Sequence, residues 1–261
     1  MALTEDEWDQ TEQGQIAENS IRFFHSLAMV HSGGIAGSLL PRGLRWLVRQ
    51  LSEHPQLRPP NREWKPEFDT FLSRLDPDHQ DSLRNALAVI GAWSSVEACL
   101  EDICKVLVRE DPTLLAGTKY DGQAFREKNP RADADEIWNN QWIRIQQKAP
   151  SSDATACERL EEILAVVERS DDVPPVIFDE VNMAHAVRNV WAHNAGIADG
   201  KFLERAPSSG IPLGTLVRVS PEAAARMIAA LMTYVMIVIN RERKVHGLPP
   251  IENPGRPGET D

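Results

Sequence analysis

Cysteine is scarce in this 261-residue chain, and its count is odd. Cys99, Cys104 and Cys157 contain no C-x-x-C pair and leave no complete disulfide framework, which excludes a disulfide scaffold and a thiolate zinc knot. Cys99 and Cys104 fall inside an apolar helical pattern and read as buried thiols in a reducing compartment. Long hydrophobic runs are missing as well. The longest apolar stretch, Ile228 to Ile239, has 12 residues, and a bilayer-spanning helix needs about 20. No membrane partner is therefore expected. The opening residues lack the basic and apolar segments of a secretory signal, so a cytoplasmic location is the expectation.

The glycine-containing stretch from His31 to Ser38 does not end in Gly-Lys-Ser/Thr, and no strand pattern precedes it. It reads as a connector, not a phosphate loop. No internal repeat is present. Strand-favouring residues are sparse beside Ala, Leu, Glu and Arg, which favours helices.

Positive charge is also in deficit, with 28 Lys and Arg against 39 Asp and Glu and a net charge of −11. A broad nucleic-acid-binding face is excluded on that balance, because phosphate contacts supply most non-specific affinity. The distribution is uneven, however. Residues 1–20 hold six acids and no Lys or Arg, while residues 42–65 hold six bases and two acids. RNA contact would need a local patch, for which Arg42, Arg45 and Arg49 are the candidates. The same arginines also fit a solvated helix surface.

What is there is helical periodicity. Helices are expected over residues 15–30, 42–51, 63–75, 82–110, 134–148, 155–169, 176–194 and from 221 to about 245. Pro66, Pro112, Pro150 and the Pro174-Pro175 pair sit at their boundaries. Ser220-Pro221-Glu222 is a strong helix start, with Ser as N-cap and Pro in the first position. Gly196 is placed to end the helix over 176–194. Residues 113–130 and 199–210 read as polar loops, and 213–219 as the one plausible strand. The fold class is all-α, an antiparallel helical bundle with additional N-terminal helices and at most one short extended segment. The expected division is an N-terminal helical extension over 1–75, the bundle over 76–246 and a flexible tail over 247–261.

One stretch carries chemistry. In Asn182-Met-Ala-His-Ala-Val-Arg-Asn-Val-Trp-Ala-His-Asn194, the residues Asn182, His185, Asn189 and His193 recur at helical spacing and form one polar stripe. Arg188 lies off the stripe with a side chain long enough to swing toward a shared pocket. Metal binding is not expected: eight residues separate the two histidines, about 12 Å along an ideal helix, and Asn189 between them is a poor zinc ligand. Acid–base chemistry without metal or cofactor is compatible with the set. A histidine in the last turn of a helix is held toward its charged form by the helix dipole, and arginine neutralises phosphate. That pairing suits attack of an RNA 2′-hydroxyl on its phosphodiester. A symmetric dimer would present two copies of the stripe. The plainer alternative is His and Arg capping a buried helix junction.

Arg188-Asn-Val-Trp-Ala-His193 resembles the R-x4–6-H signature of HEPN domains, in its R-N-x-x-x-H form. The flanks Asn194-Ala-Gly196-Ile and Asp199-Gly-Lys-Phe202, the extended stretch at 216–219 with Ser-Pro-Glu after it, and Trp93-Ser-Ser-Val-Glu97 upstream are similar to the ribonuclease-like HEPN group. The resemblance covers residues 76–246. It implies a helical bundle that homodimerises, with Arg188 and His193 essential for metal-independent RNA cleavage to 2′,3′-cyclic phosphate ends and Asn189 orienting the site. Glu97, His185 and Asn194 are implied only as supporting residues, Glu97 as a second carboxylate or a partner for Arg188. It further implies a toxin or antiviral-defence setting, with a neutralising antitoxin or partner protein. The alternative is a non-catalytic HEPN module that binds nucleotides or protein. Trp191 is expected to pack the motif helix onto its own bundle.

Overall fold

The computed structural model describes residues 3–32 and 77–251. The helices expected over 42–51 and 63–75 lie outside that range, and with them Arg42, Arg45 and Arg49. Among the described residues the α-helices are α1 (Glu5–Asp9), α2 (Glu12–Ser32), α3 (Pro77–Glu110), α4 (Gln123–Lys128), α5 (Ala134–Lys148), α6 (Ala156–Ala165), α7 (Pro175–Asn194), α8 (Gly200–Arg205) and α9 (Pro221–Val245). The chain is an all-α bundle.

Four long helices form the frame. α3 and α9 pack on each other, and each also packs on both α2 and α7. Hydrogen bonds set the directions. At the start of α3, Asn85 Nδ2 donates to Val219 O at 2.8 Å, and Ser82 Oγ accepts from Val219 N just before α9 begins. α3 and α9 therefore run parallel. The end of α7 meets the same place through Trp191 Nε1, which donates to Val217 O at 3.1 Å. The start of α2 meets the end of α3, where Gln13 Nε2 donates to Glu110 Oε2 at 2.8 Å and Arg109 pairs with Glu12. The start of the chain meets the end of α9, where Leu3 N donates to His246 O at 3.1 Å. Neighbours around the ring are thus antiparallel and the α3/α9 diagonal is parallel, the arrangement of a four-helix bundle.

α9 shows why these residues make this fold. Ser220 Oγ caps it by accepting from Ala223 N at 3.2 Å, and Pro221 occupies its first position. Ala224, Met227, Leu231, Tyr234, Val235, Val238 and Ile239 are buried. Each large side chain among them contributes roughly 1.5–3 kcal/mol on leaving water. By length and composition α9 would suffice to cross a bilayer. Its apolar residues instead meet α2, α3 and α7, and its end carries the buried Glu242, paired with Arg169, and the buried Arg243. Arg241 and Tyr234 both bond Glu161 of α6, at 3.0 and 2.9 Å, which ties α6 to α9.

The cysteines are free and buried. Burial pushes the Cys99 thiol up to about 11 and those of Cys104 and Cys157 to about 12, so none is a nucleophile at neutral pH. Trp8, Trp93, Trp138, Trp142 and Trp191 are all buried.

Local structure corrects the sequence reading in four places. The polar stretch 113–130 contains α4, and 199–210 contains α8, started by Asp199 accepting from Phe202 N at 2.8 Å. Both are short helices of six residues, with too little apolar periodicity to read in advance. The expected strand over 213–219 is reduced to one antiparallel bridge, Ile197 to Leu216. Of the expected tail, residues 247–251 pack on the end of α9, while 252–261 lie outside the described residues. Leu248 is buried, Arg243 Nε donates to Pro249 O at 2.9 Å, and Ile251 N donates to Asn240 Oδ1 at 2.7 Å.

The end of α7 depends on Gly196. Ala195 and Gly196 both take positive φ, 50° and 80°, and both backbone N–H groups turn back to Val190 O. A Cβ on Gly196 would stand 2.7 Å from the Trp191 ring. Positive φ and overpacking together predict a loss of about 2–4 kcal/mol for Gly196→Ala. Gly200, with nothing within 4 Å of its would-be Cβ, supplies the control. Urea denaturation should show Gly200→Ala within about 0.5 kcal/mol of the parent. Parental stability in Gly196→Ala would refute this account of the helix end.

Candidate active site

α7 starts with Pro175 in its first position and ends at Asn194, so His193 lies in the final turn. Val181, Ala184, Val187 and Trp191 are buried toward the bundle. Asn182, His185, Asn189 and His193 turn the other way and line one cleft of about 770 Å³. The entry to α6 (152–156) and α8 (Lys201, Phe202, Glu204, Arg205) form its other walls. The stripe read from helical spacing is thus one wall of a real cavity.

A directed chain of hydrogen bonds runs along this wall. Arg188 Nη1 donates to Asn189 Oδ1 at 2.8 Å, and Asn189 Nδ2 lies 3.0 Å from His185 Nε2. Arginine can only donate, so the Asn189 oxygen must face Arg188 and its NH2 group must face His185. His185 Nε2 is then an acceptor and the ring is neutral. Its other face packs on Trp93 of α3, with ring centroids 4.8 Å apart. Burial, then the positive charges of Arg205, Arg188 and Arg159, push its pKa from 6.5 to about 4. Geometry and electrostatics agree on the neutral form.

His193 differs from its stripe neighbour. It is exposed, lines the cleft and makes no hydrogen bond among the described residues. Arg188 is half-buried, does not line the cleft, and leaves its Nε buried without a partner. It reaches the site through Asn189. Asn182 is held by Cys157, whose backbone N donates to its Oδ1 at 2.9 Å.

Two supporting residues fall elsewhere. Glu97 is half-buried on α3, does not line the cleft and forms no ion pair with Arg188 among the described residues. Trp93, one turn earlier on α3, is what touches the stripe. Asn194 spends its amide on the helix end, donating from Nδ2 to Ile197 O at 2.5 Å. The sequence reading missed Arg159 of α6 and Arg205 and Lys201 of α8. Their only signal was exposure on short helices, and Arg159 lies in an acid-rich segment. Among the described residues no three His, Cys, Asp or Glu side chains gather as a ligand set.

Compared with known proteins, the chain matches no family model, no curated protein and no solved structure. Its chemistry rests on the cleft itself. The cleft offers one free histidine, one neutral histidine fixed as an acceptor, and a surplus of donors. Such a set can shuttle a proton and neutralise an anion.

A neutral buried histidine makes stability depend on pH. Between the folded value near 4 and the unfolded value of 6.5, the unfolded state binds a proton that the folded state does not. Stability from His185 is therefore complete above pH 6.5 and lost as pH falls toward 4, by up to about 3 kcal/mol. Urea denaturation at pH 7 and pH 5 should show a smaller loss in His185→Gln than in the parent. Identical pH dependence in the two proteins would refute a neutral His185.

Proposed function

We propose that this chain is a HEPN-type endoribonuclease that cleaves RNA without a metal. We place it in the cytoplasm as a homodimer acting as a toxin or antiviral-defence effector, held in check by a neutralising partner protein. The observation that carries the reading is the position of His193: exposed on the last turn of α7, without a partner among the described residues, in a cleft that also holds Asn189 and the cations of α6 and α8. The R-N-x-x-x-H element from Arg188 to His193 supplies the family resemblance.

In this mechanism His193 takes the proton of a ribose 2′-hydroxyl. The 2′-oxygen attacks phosphorus, the bond from phosphorus to the 5′-oxygen breaks, and a 2′,3′-cyclic phosphate forms. The departing 5′-oxygen takes a proton, for which the homodimer offers the partner's His193. Positive charge from Arg188, placed by Asn189, stabilises the phosphorane as charge accumulates on its oxygens. His185 serves as a fixed anchor for Asn189 and does not itself transfer protons, since it is neutral and already accepting a bond.

A second reading is favoured by a specific observation. Asp153, Asp199 and Glu204 also line the cleft, and the chain carries −11 overall. Both features fit a HEPN module that binds a nucleotide or a protein without cleaving.

Incubation of end-labelled mixed RNA with the purified protein in excess EDTA separates the two. The parent should release fragments with cyclic-phosphate ends. His193→Ala and Arg188→Ala should each slow cleavage by about 100-fold or more, with circular dichroism unchanged. A His193→Ala variant that cuts at the parental rate would remove His193 from the mechanism.

A further inference from the structure

Two arginines, Arg159 and Arg205, line the cleft. With Arg188, which bonds Asn189 from outside the cleft, they place positive charge on His185. Arg159 comes from α6 and Arg205 from α8, the two elements that flank α7. Both are exposed, and neither forms an ion pair or hydrogen bond among the described residues. Their state is unlike that of Arg169, Arg241 and Arg243, each of which is held by a carboxylate. Asn182 adds a donor, because its oxygen is taken by Cys157 N while its NH2 group bonds nothing among the described residues. Of the cleft's carboxylates, Asp199 is occupied in capping α8, and Asp153 and Glu204 are exposed to solvent. The wall is therefore rich in unused donors, and a volume near 770 Å³ is far larger than one phosphate group fills.

We infer that this cleft is the track for the RNA strand, with Arg159 and Arg205 gripping consecutive backbone phosphates on either side of the α7 stripe. The inference rests on the nuclease reading for the identity of the strand. Its physical basis is separate: two unpaired guanidiniums face a shared cavity and will take the planar, bidentate partner that a phosphate offers. In this arrangement Arg159 and Arg205 are positioning residues. They bring a 2′-hydroxyl to His193 and take no part in proton transfer. An acidic protein can bind RNA in this way because the contact is local, within about 10 Å of Debye screening at 0.1 M salt.

The test uses a short single-stranded RNA with 2′-O-methyl groups, which lacks the attacking hydroxyl and so reports binding without cleavage. Titrations at several salt concentrations compare the parent with Arg159→Gln, Arg205→Gln and Arg131→Gln. Arg131 is an exposed arginine outside the cleft and controls for loss of charge alone. Arg159→Gln and Arg205→Gln should each weaken binding by about five- to tenfold and make the slope of log K against log salt shallower by about 0.7. Arg131→Gln should change neither. With cleavable RNA, the same two variants should raise KM far more than they lower kcat, a split that a merely structural role would not produce.

Parental affinity and salt slope in both cleft variants would overturn the inference, even if the parent cleaves RNA and the nuclease reading stands. Binding of a mononucleotide as tightly as the strand, with the same dependence on both arginines, would also overturn it and make the cleft a nucleotide pocket. Arginine-dependent strand binding by a protein that never cleaves would uphold the track and remove the nuclease reading instead.

Discussion

Burial of α7 between α3 and α9 is the constraint on which the rest depends. A helix flanked by two long neighbours has its apolar side spoken for, and Val181, Ala184, Val187 and Trp191 occupy it. The polar residues Asn182, His185, Asn189 and His193 are left on the remaining arc. Buried polar groups need partners, and α6 and α8 close over that arc without filling it. The cleft is what remains when two short helices cover a polar stripe incompletely. Its position follows from packing, and its chemistry from the residues that packing excludes from the core.

Within the cleft, one donor-only side chain orders the rest. Arg188 cannot accept a hydrogen bond, so Asn189 has a single orientation available, and His185 has a single protonation state that suits it. The two histidines of the stripe differ for that reason. His185 sits on Trp93, within the field of three arginines, and is held as an acceptor. His193, two turns on, has solvent beside it and no partner among the described residues. The same residue type on one helix face thus has a fixed role in one place and a free one in the other.

Net charge is a poor guide to such a site. Much of the negative charge of this chain lies in pairs and caps, such as Glu5 with Arg243, Glu12 with Arg109 and Glu7 with Thr4. What matters for an anionic ligand is which cations are left over, and where. The leftover cations at the cleft, Arg159 and Arg205, come from segments whose local composition gives no hint of them.

Much of the fold was legible from residue order. The periodicity of α3, α5, α7 and α9, the Ser220-Pro221 start and the stop after Asn194 all follow from local rules, because capping, proline and apolar spacing act within a turn or two of the chain. The stripe on α7 is of the same kind. Residue order could not supply α4 and α8, which are too short to show apolar periodicity, nor the anchoring of Leu248 and Ile251 beyond α9. Nor could it show that Glu97 and Asn194 lie off the cleft, because a position on the right helix does not say which face the side chain takes up in the bundle. The sequence by itself determined an all-α chain with a polar stripe on one buried helix. Only the tertiary structure decided that α6 and α8 face that stripe across a cavity and bring Arg159 and Arg205 to it, since these arginines lie 26 and 20 positions from His185 and no local rule reaches so far.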